Sequence, residues 1–182
     1  MKKPKRLGRK TVYESKWVNL YKDKVEFPAG RVIDEYHVLE FDTEAVGVIV
    51  RNEKNQLLMV ESYRYVTDSI AWEVPAGGID EGESVLEAAA REVLEETSYA
   101  TTNHKHLYTY CPSNGNSNQV FHLVSCDVAD KQDQDFDRNE VRDVAWFDSS
   151  QILSMLKDHV IVDGFTLSAL FIEGVASSPI LS

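Results

Sequence analysis

The sequence predicts a mixed α/β fold, with a central sheet, few helices and antiparallel strands ahead of the sheet. Three observations carry this. The first 75 residues run in short apolar–polar alternations. Residues 84–97 switch to a helical period. Strand-like runs then return, and two helical stretches close the chain.

In chain order, the tip "MKKPKRLGRK" carries six Lys or Arg and is expected to be a solvated, partly frayed end. "WVNLYKDKVEF" and "VIDEYHVLEF" read as strands on either side of the turn signal Pro28-Ala29-Gly30. "AVGVIVRN" and "QLLMVESYRY" are two more, joined by a polar turn from Glu53 to Asn55. "WEVPAGG" is a short strand ended by Pro75 and a glycine pair. Ser84 and Glu87 form a capping box that starts the helix. Leu86, Ala89, Ala90, Val93 and Thr97 make its inward stripe. "HLYTYC", "QVFHLVSCDV" and "VRDVAWF" read as strands, "SSQILSMLKDH" as a capped helix and "DGFTLSALFIEGVA" as a last helix stopped by Gly174.

A chain of 182 residues suits one compact domain with a substantial core. Its net charge of -11 argues against a nucleic-acid binder, which needs a basic surface. No apolar run is long enough to span a bilayer, and none follows the basic tip as an export leader requires. A soluble, cytoplasmic protein with no membrane partner is therefore expected. Cys111 and Cys126 have no metal-type spacing and are expected to be packed thiols.

The helix is overloaded with acid. Glu92 and Glu96 fall about 40° apart on one face, one turn from each other, with Glu95 on the other side. Like charges at that spacing destabilise a helix by roughly 0.2–0.5 kcal/mol per pair. They also stand near the C-terminus, where the macrodipole disfavours them. One reading is a solvated acidic face partly neutralised by Arg91. The other is a cation site, since hard divalent ions take carboxylate oxygens and cancel the repulsion.

The register around these acids decides between the two readings. Gly77 is followed by five residues and Glu83, then seven more lead to Arg91-Glu92, and Glu95-Glu96 follow. This 23-residue stretch resembles the Nudix box, G-x5-E-x7-R-E-U-x-E-E-x-G-U with U apolar. One position departs: Ser98 stands where the family has glycine, beside Tyr99. Serine in a left-handed turn costs on the order of 1 kcal/mol unless another turn is used. The flanks "SYRY" and "WEVPAG" resemble the branch that hydrolyses ADP-ribose and other nucleoside diphosphate sugars.

The resemblance implies a Nudix α/β/α sandwich that hydrolyses such substrates to a nucleoside monophosphate and a sugar phosphate. It implies Mg²⁺, with Mn²⁺ as an alternative, held by Glu92, Glu96 and the backbone carbonyl of Ala76. Glu95 belongs to the same catalytic group, and Arg91 orients the acids. Glu83 is either structural or a further metal contact. Arg64 matches an arginine that contacts the diphosphate, Trp17 and Tyr36 match aromatics that sandwich the base, and Glu73 faces the nucleotide. The acidic stretch 127–140 matches the loop carrying a water-activating or metal-binding glutamate. Glu140 is its only glutamate and the candidate base, with Asp137 second. Pro112 follows the box by slightly fewer residues than in ADP-ribose hydrolases, so hexose nucleotides such as GDP-mannose and ADP-glucose compete as substrates. The branch is homodimeric, with residues 1–42 serving dimerisation and the base pocket and 43–182 forming the hydrolase domain. The rival readings are a Nudix enzyme acting on dinucleoside polyphosphates or capped RNA, and a non-catalytic nucleotide sensor.

Overall fold

The computed structural model describes residues 2–176, so Met1 of the basic tip and the last six residues lie outside the description. The described residues form two compact units, 2–44 with 110–120 and 45–109 with 121–176.

The first unit is an antiparallel sheet of β1 (Lys5–Tyr13), β2 (Asn19–Glu26) and β3 (Val32–Glu40), in that order. The basic tip is therefore not a frayed end. Its ladder with β2 runs from Lys5 opposite Glu26 to Tyr13 opposite Leu20. Charge explains the pairing. Arg9 forks onto Asp23 at 2.8 and 3.0 Å, reaches Glu40 at 2.7 Å, and lies 4.0 Å over the Tyr21 ring. One guanidinium thus ties three strands, and it holds the Asp23 carboxyl below the usual carboxylate range. Gly30, at φ 85°, makes the expected turn between β2 and β3. The segment 110–120 completes the unit. Leu39 N–H donates to Asn116 O at 2.8 Å, and the Asn118 side chain brackets both backbone groups of Phe41.

The second unit is built on a mixed sheet. Its strands are β4 (Ala45–Arg51), β5 (Leu57–Arg64), β6 (Ser69–Glu73), β7 (Ala76–Gly78), β8 (Tyr99–Tyr110), β9 (Phe121–Lys131) and β10 (Val141–Phe147). The main order is β10-β5-β4-β9-β8, with β6 on β5 and β7 on β4. β4 and β9 run parallel, while β4–β7, β5–β6 and β10–β5 are antiparallel. Asn55, at φ 58°, turns β4 into β5, and Asn52 Oδ1 accepts from the N–H groups of Lys54 and Gln56. The expected single strand "WEVPAGG" is two strands, because Pro75 cannot donate to a ladder and breaks it.

Three helices complete this unit: α1 (Val85–Thr97), α2 (Ser149–Lys157) and α3 (Gly164–Ala176). Strand alternation on β4 separates two layers. Val46, Val48 and Val50 pack with Ala88, Ala89 and Val93 of α1, whereas Gly47 faces Phe165 of α3. Helices therefore lie on opposite faces of the sheet, as expected of an α/β/α sandwich. α1 begins on the predicted capping box, but its inner arc differs from the predicted stripe. Leu86 is exposed, and Glu92 and Glu96 are buried with Ala88, Ala89, Val93 and Thr97. α3 runs past Gly174 to Ala176, since one glycine weakens a helix without ending it. Among the described residues no helix is long and apolar enough to cross a membrane.

Candidate functional site

The buried pair on α1 is the centre of the site. Glu92 and Glu96 are each only 8% exposed, while Glu95 points outward. Both press toward the strand formed by Ala76, Gly77 and Gly78. Ala76 N–H donates to Glu96 Oε2 at 3.1 Å. A methyl group on Gly77 would overlap the Glu92 carboxyl, so the glycine opens the space that the carboxyl fills.

Arg91 holds the array. Its guanidinium donates to Glu83 at 2.8 and 2.9 Å, to Glu92 at 2.7 Å, to Glu95 at 3.3 Å and to Gly78 O at 2.8 Å. Both Glu83 oxygens are engaged by Arg91, and one also accepts from Asp80 N–H. In this structure Glu83 is therefore a partner of Arg91. The helix end explains the departure at Ser98. The serine adopts the left-handed turn, at φ 63° and ψ 15°, and its N–H donates to Leu94 O. Tyr99 then packs edge-on against Trp146 at 5.6 Å.

The acidic loop docks on the same helix end. Gln132 N–H donates to Ser98 O at 2.8 Å, and Asp137 N–H to Glu95 O at 3.3 Å. Carbonyls that a helix C-terminus leaves unpaired are satisfied this way. Asp137 Oδ1 accepts from Asn139 N–H, and Asp137 O accepts from Glu140 N–H. The result is a cavity of about 360 Å³ lined by Glu95, Glu96, Gln134, Asp137 and Glu140 among others. Gln134, which is not among the residues expected from the sequence, lines this cavity, and its side chain reaches Leu94 O at 3.5 Å. Nothing local in its flanks marks it.

The electrostatics follow from burial. Glu96 is pushed up to about 8, first by desolvation and then by the charges of Glu92 and Glu140, with the Ala76 N–H opposing. Glu92 is also raised by burial, against its bond to Arg91. Two buried carboxyls facing a third are short of countercharge. Their hard oxygens, beside a backbone strand, fit a divalent cation that prefers oxygen ligands. Among the described residues no three His, Cys, Asp or Glu side chains already converge at metal-ligand spacing. The donor set present is the Glu92–Glu96 pair, with Ala76 beside it and Glu140 across the cavity.

Arg64 and Glu73 lie together in a second cavity of about 560 Å³, which Asp163 also lines. Arg64 Nε donates to both Glu73 oxygens at 3.0 and 3.1 Å, and Nη2 closes the fork. The carboxylate raises the arginine further above its ordinary range. Trp17 and Tyr36 belong to the N-terminal unit. Trp17 is 75% exposed, with Lys16 Nζ 4.5 Å over its ring. Tyr36 is half-buried, bonded through its hydroxyl to Gly115 O and tilted against Phe27.

Known proteins resemble this chain in family and in fold. The model described as NUDIX domain matches residues 42–166, and the model described as nucleoside diphosphate sugar hydrolase N-terminal domain matches residues 4–39. The chain is 28% identical over 172 residues to the CMP-5'-(N-acetyl-N-hydroxy-3-aminopropyl)phosphonate hydrolase of Streptomyces rubellomurinus, covering 94% of this chain and 82% of that protein. It is 23% identical over 168 residues to the ADP-ribose pyrophosphatase of Bacillus subtilis, covering 91% and 90%. The crystal structure of an ADP compounds hydrolase superposes with a TM-score of 0.83 at 22% identity, covering 94% of this chain and 92% of that one. That last likeness is one of fold.

Proposed function

The chain belongs to the Nudix family of hydrolases, and from that premise we propose that it cleaves the diphosphate of a nucleoside diphosphate sugar. The products are a nucleoside monophosphate and a sugar phosphate, AMP and ribose 5-phosphate if the substrate is ADP-ribose. The observation that carries this is the buried Glu92–Glu96 pair against the Ala76–Gly77 backbone, with Glu140 placed across the cavity.

Glu92, Glu96, Glu140 and the carbonyl of Ala76 would hold Mg²⁺, or Mn²⁺ in its place. Bound there, the ion supplies charge stabilisation on the phosphoryl oxygens and lowers the pKa of a bound water. Arg91 fixes the direction of Glu92 and Glu95 through its four partners. Glu140 takes the proton of the attacking water. Arg64 turns from Glu73 to fork onto the diphosphate, and Glu73 stays to receive it when product leaves. Trp17 and Tyr36 stack on the base, and the N-terminal sheet pairs with a second copy to give a homodimer.

Support for the substrate class is threefold. The N-terminal match is to a nucleoside diphosphate sugar hydrolase model, one relative is named as an ADP-ribose pyrophosphatase, and "SYRY" and "WEVPAG" precede the box. The name of the Streptomyces relative joins CMP to a phosphonate, so both the base and the group attached to the nucleotide differ among the relatives. The test is phosphate release through a coupled phosphatase, with and without Mg²⁺. The panel is ADP-ribose, GDP-mannose, ADP-glucose, UDP-glucose and a dinucleoside polyphosphate. Turnover on at least one nucleotide sugar, abolished by chelation, is expected. Turnover on the dinucleoside polyphosphate alone, or on nothing, overturns the proposal.

A further inference from the structure

His106 and Thr109 lie on β8, and His122 lies on β9, its neighbour in the sheet. Three of their polar atoms converge. Thr109 Oγ1 is 2.9 Å from His106 Nε2 and 2.9 Å from His122 Nδ1, and the two ring nitrogens are 3.5 Å apart. The rings are tilted by 57° with centroids 5.6 Å apart. They meet nitrogen to nitrogen rather than face to face. His106 and Thr109 are exposed and His122 is half-buried.

We infer that this cluster is a second metal site, one for a late first-row divalent ion such as Zn²⁺, Cu²⁺ or Ni²⁺. His106 Nε2 and His122 Nδ1 are its ligands, and the Thr109 hydroxyl is the adjoining donor. Geometry supports the bite. Two donors about 2.0–2.1 Å from a tetrahedral ion lie roughly 3.3–3.4 Å from each other. The nitrogen pair has almost that spacing already, and the hydroxyl completes a triangle close to one face of a coordination tetrahedron. A neutral imidazole directs one lone pair outward, and imidazole suits Zn²⁺, Cu²⁺ and Ni²⁺ where carboxylate and carbonyl suit Mg²⁺. This site and the Glu92–Glu96 pair therefore select different ions.

The position gives the ion a mechanical effect. β8 ends the main strand order, so an ion held between the two rings clips that strand to β9. With two imidazoles and a hydroxyl the site is more open than a four-ligand structural cage, and water fills the remaining position. The net charge of -11 raises the local concentration of cations at the surface.

The test uses the full-length, chelator-stripped protein. Zn²⁺ is titrated calorimetrically in excess Mg²⁺, on the native chain and on a Glu96→Gln background. One Zn²⁺ per chain is expected on both. His106→Ala and His122→Ala should each weaken it about tenfold or more, given that even outer-sphere partners of a ligand are worth roughly 10–100-fold. Zn²⁺ should raise the melting temperature of the native chain and not of either variant. His106→Gln, which keeps a polar partner for Thr109 but no imidazole, should behave as His106→Ala does. Unchanged Zn²⁺ affinity in the histidine variants overturns the inference, as does loss of the Zn²⁺ in Glu96→Gln or no Zn²⁺ uptake by the native chain.

Discussion

At the scale of single residues, three positions make separable predictions. Gly77→Ala puts a methyl where the Glu92 carboxyl lies. The obstacle is the end of a flexible side chain, so the fold survives and the carboxyl moves. Mg²⁺ titrations of turnover should show a loss of about 10–100-fold in apparent metal affinity, the range set by disturbing a ligand's support. Glu140→Gln keeps the loop's backbone hydrogen bonds but removes the proton acceptor and one carboxylate of the metal set, so it is assayed at saturating Mg²⁺. It should lower kcat by about 10²–10⁴-fold with KM little changed; an unchanged kcat moves the base elsewhere in the loop. Ser98→Gly relieves a left-handed non-glycine residue whose buried Oγ has no hydrogen-bond partner among the described residues. Allowing for the extra freedom of glycine in the unfolded chain, the gain is about 1 kcal/mol. That should appear as a rise of about 2–4 °C in melting temperature.

At the scale of the element, α1 links stability to pH. The folded value of Glu96, about 8, lies above its unfolded value. Its stabilising contribution is therefore full below an unfolded carboxyl's pKa of about 4.3 and is lost as pH rises through the folded value. Melting curves in chelator should fall between about pH 5 and pH 9, and Glu96→Gln, which cannot ionise, should fall less. Divalent metal should restore the native chain at high pH. Parallel curves for the two proteins would show that this carboxyl does not control the helix. The same helix marks what the sequence could say. The capping box, the length and the acid spacing were legible, because each is a local pattern. The burial of Glu92 and Glu96 in place of Leu86 was not, since it depends on Gly77 arriving from another strand. β1 is not legible in the sequence for a similar reason. Its basic residues are ordered by Asp23 and Glu40, which lie 14 and 31 residues from Arg9.

At the scale of the whole molecule, the N-terminal sheet leaves Leu7, Val12, Tyr13 and Val32 exposed. Such side chains on an otherwise charged strand set are what a second copy would cover. Sedimentation or light scattering should report a dimer, and Trp17→Ala with Tyr36→Ala should raise KM more than it lowers kcat. A role of that unit at the base is implied only by resemblance, because aromatics on strands carry no signature that separates packing from stacking. Arg64 and Glu73 both stand out in the sequence, but their mutual ion pair does not, since it joins neighbouring strands across a turn.

The N-terminal sheet also has a consequence for how the chain is made. Asn118 closes on Phe41 from 77 residues further along. At roughly 5–20 residues per second, the strands leave the ribosome on the order of 4–15 s before the segment that finishes them. During that interval the nascent sheet is incomplete. Ribosome-bound chains stalled before residues 110–120 have emerged should then be more open to protease in this region than chains stalled after that segment has left the ribosome.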